Sequence, residues 1–223
     1  MKKFVIVIAV ILFMVILLLF GMLLIAIQRG NTDNKEKIAA SLEPSRQKTA
    51  EDESDKAAKV LIVYFSLTGN TKQVANIMEE FTNGVVFEIQ PDFDYSKVQS
   101  KAEMGQLGKQ QVNEGFRPEL KNTVADIDTY DLIIIGSPVW WYSVTPPVMS
   151  FLSQYNLEGK KVAPFCTCGS VAGDFFTQFE DAIPDAEVLN GLTLTEAELQ
   201  KDEESKEKIK VWLEDLGVYR TYK

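Results

Sequence analysis

The sequence predicts an α/β domain on a doubly wound, five-stranded parallel sheet in the order 2-1-3-4-5, preceded by one transmembrane helix. Three observations carry that expectation. Short apolar runs rich in β-branched residues alternate with amphipathic stretches from Lys59 onward, the pattern of βαβ units. Turns rich in Gly, Ser, Pro and Trp follow the strand-like runs. Finally, Phe4 to Ile27 is a stretch of 24 residues without a charge.

The elements read in order. Lys59 to Phe65 is a buried parallel strand, and Ser66 to Asn70 a turn. Thr71 to Phe81 spaces Val74, Ala75, Ile77, Met78 and Phe81 on one face of a helix. Val85 to Ile89 is a second strand. Residues 91–130 are long and polar, with a helix placed around Lys97 to Val112. Asp131 to Gly136 is a third buried strand, followed by a helix from about Pro147 to Tyr155. Lys161 to Cys166 is a fourth strand, and Phe175 to Phe179 falls in a helix. Ala186 to Leu194 gives the fifth strand. Glu203 to Leu216 closes the fold with Ile209, Trp212, Leu213 and Leu216 on one face.

The remainder of the chain divides into an anchor over 1–27, a polar linker over 28–58 and the domain over 59–223. As a helix, Phe4 to Ile27 spans about 36 Å, enough to cross a hydrocarbon core of about 30 Å. A cleavable signal has a shorter apolar stretch and a small-residue cleavage site, so a retained anchor is the expectation and a cleaved signal the alternative. Lysines flank both ends, and the short head led by Lys2 and Lys3 favours a single-pass membrane protein with an extracytoplasmic domain. The linker mixes charges with Ser, Thr, Asn and Gln and lacks aromatics, so it reads as a flexible tether reaching about 30 Å.

Composition excludes several chemistries. The chain carries 23 Lys and Arg against 32 Asp and Glu, a net charge of -9. Such acidity repels nucleic-acid backbones and could steer a basic protein partner. There is no histidine, which removes the usual general base and most zinc sites. The two cysteines, Cys166 and Cys168, cannot alone hold a structural metal. Redox or group-transfer chemistry here needs a cofactor.

In a doubly wound sheet, ligands bind outside the carboxyl ends of the strands, where the strand order reverses. The first such loop, Ser66-Leu67-Thr68-Gly69-Asn70-Thr71, offers hydroxyls, an amide and a glycine where a helix begins. Unpaired N–H groups at a helix start suit a phosphate. An ordinary Ser/Thr-rich turn with an N-cap is the alternative. The absence of acidic residues here argues against a phospho-accepting metal site. The second loop, Gly136-Ser137-Pro138-Val139-Trp140-Trp141-Tyr142, places three aromatics together, an apolar patch too large to leave in water. A flat tricyclic ring could stack on one of them, or one could plug the core while another packs on a helix.

YFSLTGNT after the first strand and GSPVWWYSVTPP after the third resemble flavodoxins, especially those whose second loop reads G-S-P-[VI]-W-W. The resemblance covers about residues 59 to 216. It implies that Ser66 to Thr71 hold the phosphate of FMN and that Pro138 to Tyr142 line its ring, with Trp140 as the stacking aromatic and Ser137 also among the cofactor-binding residues. It implies a third loop over the flavin at Thr167, Cys168, Gly169 and Ser170. The cysteines depart from the flavodoxin pattern: Cys166 reads as strand core, and Cys168 either lies near the ring or joins Cys166 in a strained disulfide. The function implied is one-electron transfer through FMN with unidentified redox partner proteins. The alternatives are an FMN-dependent NAD(P)H or quinone oxidoreductase and a membrane-tethered interaction module without flavin.

Overall fold

The computed structural model describes residues 58–98 and 100–220. Strand β1 (Val60–Tyr64) is buried along its whole length. It pairs in parallel with β2 (Val85–Glu88) on one side and β3 (Leu132–Trp140) on the other. Beyond β3 lie β5 (Lys161–Cys168) and, at the edge, the short strands β6 (Glu187–Val188) and β7 (Leu192–Thr195). Because the β1 side chains alternate, each face of the sheet buries its own apolar set. Leu61, Val63, Ile133 and Ile135 face Phe151, Phe175 and Phe179. Those three come from α3 (Pro146–Gln154) and α4 (Phe175–Ala182). Ile62, Tyr64 and Ile134 face the other way, against Val74, Met78, Ile209 and Leu213. These belong to α1 (Asn70–Thr82) and α6 (Asp202–Asp215). The result is two helical layers around one sheet.

The expected five-stranded sheet in the order 2-1-3-4-5 is corrected. Among the described residues the sheet has seven strands in the order β2-β1-β3-β5-β6, with β4 (Ser143–Val144) on β3 and β7 on β5. Two local causes account for the difference. The third strand does not stop at Gly136: it continues to Trp140 and folds back as an antiparallel hairpin, pairing Val139 with Val144 and Trp140 with Ser143. The last strand is broken. Leu189 still donates to the Val162 carbonyl, but pairing resumes only at Leu192 opposite Phe165. Between them β5 presents Pro164, which has no N–H to donate.

The expected transmembrane helix is also corrected. Among the described residues no helix is long and apolar enough to cross a membrane. Residues 1–27, on which that expectation and the single-pass, extracytoplasmic placement rested, lie outside the described residues, as do 28–57 of the linker.

Residues 91–130 hold the helix α2 (Lys101–Asn113), started by Ser100, whose hydroxyl accepts from the Glu103 N–H at 3.1 Å. An S-x-x-E pattern is a helix-start signature. The rest of the crossover is pinned to the sheet edge: Asn122 bridges the Gln90 N–H and the Glu88 carbonyl, at 3.0 and 2.8 Å.

Candidate functional site

At the carboxyl ends of β1, β3 and β5 a cavity of about 260 Å³ opens. The loop after β1 forms its base. Gly69 sits in the left-handed region at φ +97°, which a glycine adopts without strain, and turns the chain into α1. No side chain caps that helix start. The Ser66 hydroxyl instead accepts from the Gly69 N–H at 3.2 Å, holding the loop's own turn. Thr71 is buried, and its hydroxyl meets that of Thr167 at 2.8 Å, tying the first loop to the third. Leu67, Thr68 and Asn70 are left to face the cavity.

The β3–β4 hairpin forms a second wall. Its two-residue turn is Trp141-Tyr142, with φ of +47° and +63°. Positive φ at both central positions is the type I′ geometry, which favours Asn and Gly; here two aromatics hold it. Neighbouring contacts enforce the turn. The Tyr142 carbonyl accepts from the Asp174 N–H at 3.0 Å, and Gln178 donates to the Ser143 hydroxyl at 3.0 Å. Gly173 lies so close beneath that a Cβ there would fall 2.5 Å from the Tyr142 Cβ. Ser137 is buried, and its hydroxyl bonds the Pro138 carbonyl and the Thr145 hydroxyl, each at 2.8 Å, so it braces the hairpin.

The three aromatics separate. Trp140 is 8% exposed and meets Phe65 and Tyr95 edge-on, with ring centroids 5.7 and 5.2 Å apart. Its remaining surface reaches the cavity floor. Trp141 is 47% exposed and stands in the cavity wall, with the Lys109 ammonium 4.2 Å from its ring centroid. Tyr142 is exposed at the turn and does not line the cavity.

Of the third loop, Thr167, Cys168 and Gly169 line the cavity and Ser170 does not. Both cysteines are free thiols, so the disulfide alternative falls away. Cys166 is wholly buried, and burial pushes its thiol up to about 12. The Cys168 thiol is also raised, first by burial and then by the nearby Glu198 charge, so it stays protonated near neutral pH.

The remaining wall is one that sequence reasoning left unassigned. Met104, Gly105 and Gly108 of α2 face the cavity, as does Glu196 at the start of α5 (Glu196–Leu199). A Cβ added at Gly105 or Gly169 would meet nothing within 4 Å, so both glycines leave open space in the cradle. Among the lining residues there is no Lys or Arg. Among the described residues no group of three or more His, Cys, Asp or Glu could hold a metal ion.

The site thus has uncapped helix N–H groups and hydroxyls at one end and flat apolar walls at the other. On a doubly wound sheet this defines a nucleotide-binding α/β domain with its site at the point where strand order reverses. The family model for flavodoxins matches residues 59–216, and the chain belongs to that family. FMN is the cofactor that membership brings, and the open cradle fits a flat ring carrying a phosphate tail. A flavodoxin from Clostridium saccharobutylicum is 29% identical over 118 residues, covering 52% of this chain and 59% of the relative. The chain therefore spans little more than half the length of that relative. A crystal structure from Bacteroides eggerthii is 27% identical, with a TM-score of 0.59, covering 72% of this chain and 99% of its own. A flavoprotein from Lactobacillus acidophilus in complex with FMN is 26% identical, with a TM-score of 0.55, covering 65% of this chain and 98% of its own.

Proposed function

We propose that this chain is an electron-transfer flavoprotein that holds FMN in the cavity between its three loops and exchanges electrons with partner proteins. The observation that carries this reading is the convergence of all three loops, with α2, on one cavity at the carboxyl edge of the sheet. Bound FMN supplies the redox centre. The chain's residues bind and orient it. The uncapped start of α1, with Thr68 and Asn70, receives the phosphate through neutral donors. Leu67, Met104 and Val139 exclude water from the ring, and Trp141 offers it an aromatic face at the lip. Trp140 supports the floor from the core. Glu196 in the wall disfavours added negative charge in the cavity and so works to lower the potential of the site.

An NAD(P)H or quinone oxidoreductase is the second reading. It is favoured by a neighbouring depression of about 310 Å³ that shares Thr68, Asn70 and Glu196 with the cavity and adds Gln73 and Gln200. One experiment separates the two. The FMN-loaded chain is titrated reductively and then mixed with NAD(P)H in air. Two resolved one-electron steps without steady NAD(P)H oxidation are expected. Sustained oxidation of NAD(P)H would overturn the carrier reading in favour of the enzyme.

A further inference from the structure

We infer that Lys109 of α2 is a positioning residue for the cavity, acting through Trp141. The observation is the ammonium 4.2 Å from the centroid of the Trp141 ring, which lines the cavity while Lys109 itself does not. Trp141 needs such support. Its backbone is held at φ +47°, in a turn that side chains of this size rarely take, and its ring is 47% exposed. An exposed indole on a hairpin tip would otherwise sample several rotamers and lose entropy on meeting a ligand. A cation held against one face attracts the ring quadrupole and keeps the indole in one orientation, leaving the wall preformed. The contact also joins the hairpin to α2, and both elements line the cavity.

Geometry on α2 supports the assignment. A Cβ on Gly108 would sit 3.4 Å from the Trp140 Cβ, at van der Waals contact, so this turn of the helix lies against the hairpin. Lys109, one position on, reaches over the adjacent indole of Trp141. Among the described residues no Lys or Arg lines the cavity, and Lys109 places a positive charge beside its wall without entering it.

The inference rests on the FMN reading above, and the test separates the two. FMN affinity is measured by flavin fluorescence quenching for the full chain, Lys109→Met, Lys109→Arg, Trp141→Ala and Lys109→Met/Trp141→Ala. If the wild-type chain, shown folded by circular dichroism, does not bind FMN, the FMN reading fails. If it binds, Lys109→Met is expected to weaken binding about two- to fivefold, the worth of an exposed cation–π contact. Lys109→Arg should restore it, because a guanidinium also stacks on indole. In the Trp141→Ala background Lys109→Met should have no further effect, since the double-mutant cycle removes the shared contact. Unchanged affinity in Lys109→Met would overturn the inference. So would an equal loss in both backgrounds, which would reduce Lys109 to general attraction for the phosphate.

Discussion

Trp140 and Trp141 are adjacent in sequence, yet their replacement should produce opposite phenotypes. Trp140 is 8% exposed and meets Phe65 and Tyr95 edge-on, so Trp140→Ala removes nearly a whole indole from the core. A buried Trp covers about 200 Å², which at about 25 cal/mol per Å² is about 5 kcal/mol, and measured Trp-to-Ala costs run about 3–5 kcal/mol. For a domain of this size that lowers Tm by on the order of 10 °C. Trp141 is half exposed, so Trp141→Ala costs about 1–2 kcal/mol. Trp141→Gly costs less still, because glycine relieves about 1 kcal/mol of strain at φ +47°. In FMN affinity the order reverses. Losing the Trp141 face should weaken binding about tenfold, within the range of aromatic–base stacking. The assays are urea denaturation of the flavin-free chain and FMN titration of each variant. If Trp140→Ala unfolded at the wild-type midpoint, the assignment of its ring to the core would be wrong. If Trp141→Ala bound FMN as tightly as wild type, the lip would not touch the ring.

Three further outcomes follow from the packing and the charges. Gly136→Ala should cost about 3 kcal/mol or more in denaturant unfolding, because its Cβ would lie 2.0 Å from the ring of Phe165, itself fully buried. The Cys166 thiol, raised to about 12 by burial, keeps its proton in the native chain where the unfolded chain has lost its own. Its contribution to stability should therefore hold below about pH 8.5 and fall as pH rises, by at most about 1.4 kcal/mol per unit, and Cys166→Ala should make the slope between about pH 8.5 and 10 shallower, the raised Cys168 thiol keeping the rest. Glu198 accepts from Lys208 at 2.7 Å and from the Thr195 backbone N–H at 2.7 Å, which holds its carboxyl down at about 2. That contribution is present above about pH 4.3 and lost as pH falls toward about 2. Glu198→Gln should cost about 1 kcal/mol at pH 7, discounted for a partly exposed pair, and should remove the acid dependence in that window.

How much of this was legible in the sequence depended on whether a residue's role was local. β1 and α1 were read within a residue or two, because a β-branched run and a helical stripe of Val74, Ile77 and Met78 are local patterns. The loops at Ser66–Thr71 and Ser137–Tyr142 were legible as composition, and they do converge on one cavity. Their division of labour was not. Ser137 and Thr71 turn inward to brace loops, and Ser66 holds its own turn, which residue type alone does not reveal. Gly-Ser-Pro read as the end of a strand, so the hairpin that sends Trp140 inward and Trp141 outward was missed. The wall from α2 was hidden because it is made of glycines and one methionine in a polar stretch. The Ser100–Glu103 start signal and the Gly105–Gly108 spacing were the clues available. The broken last strand depended on Pro164 in its neighbour, a cross-strand effect.

The most direct test of the cavity as the FMN site is a fluorescence titration of FMN into the full chain and into Gly105→Leu. Gly105 lies inside α2 and faces the cavity, and a leucine there adds helix propensity while filling the cradle. The expected result is saturable one-to-one quenching by wild type and at least a tenfold weaker affinity in a fully folded Gly105→Leu. Failure of the folded wild-type chain to bind FMN, or equal affinity in the filled variant, would contradict the assignment of this cavity.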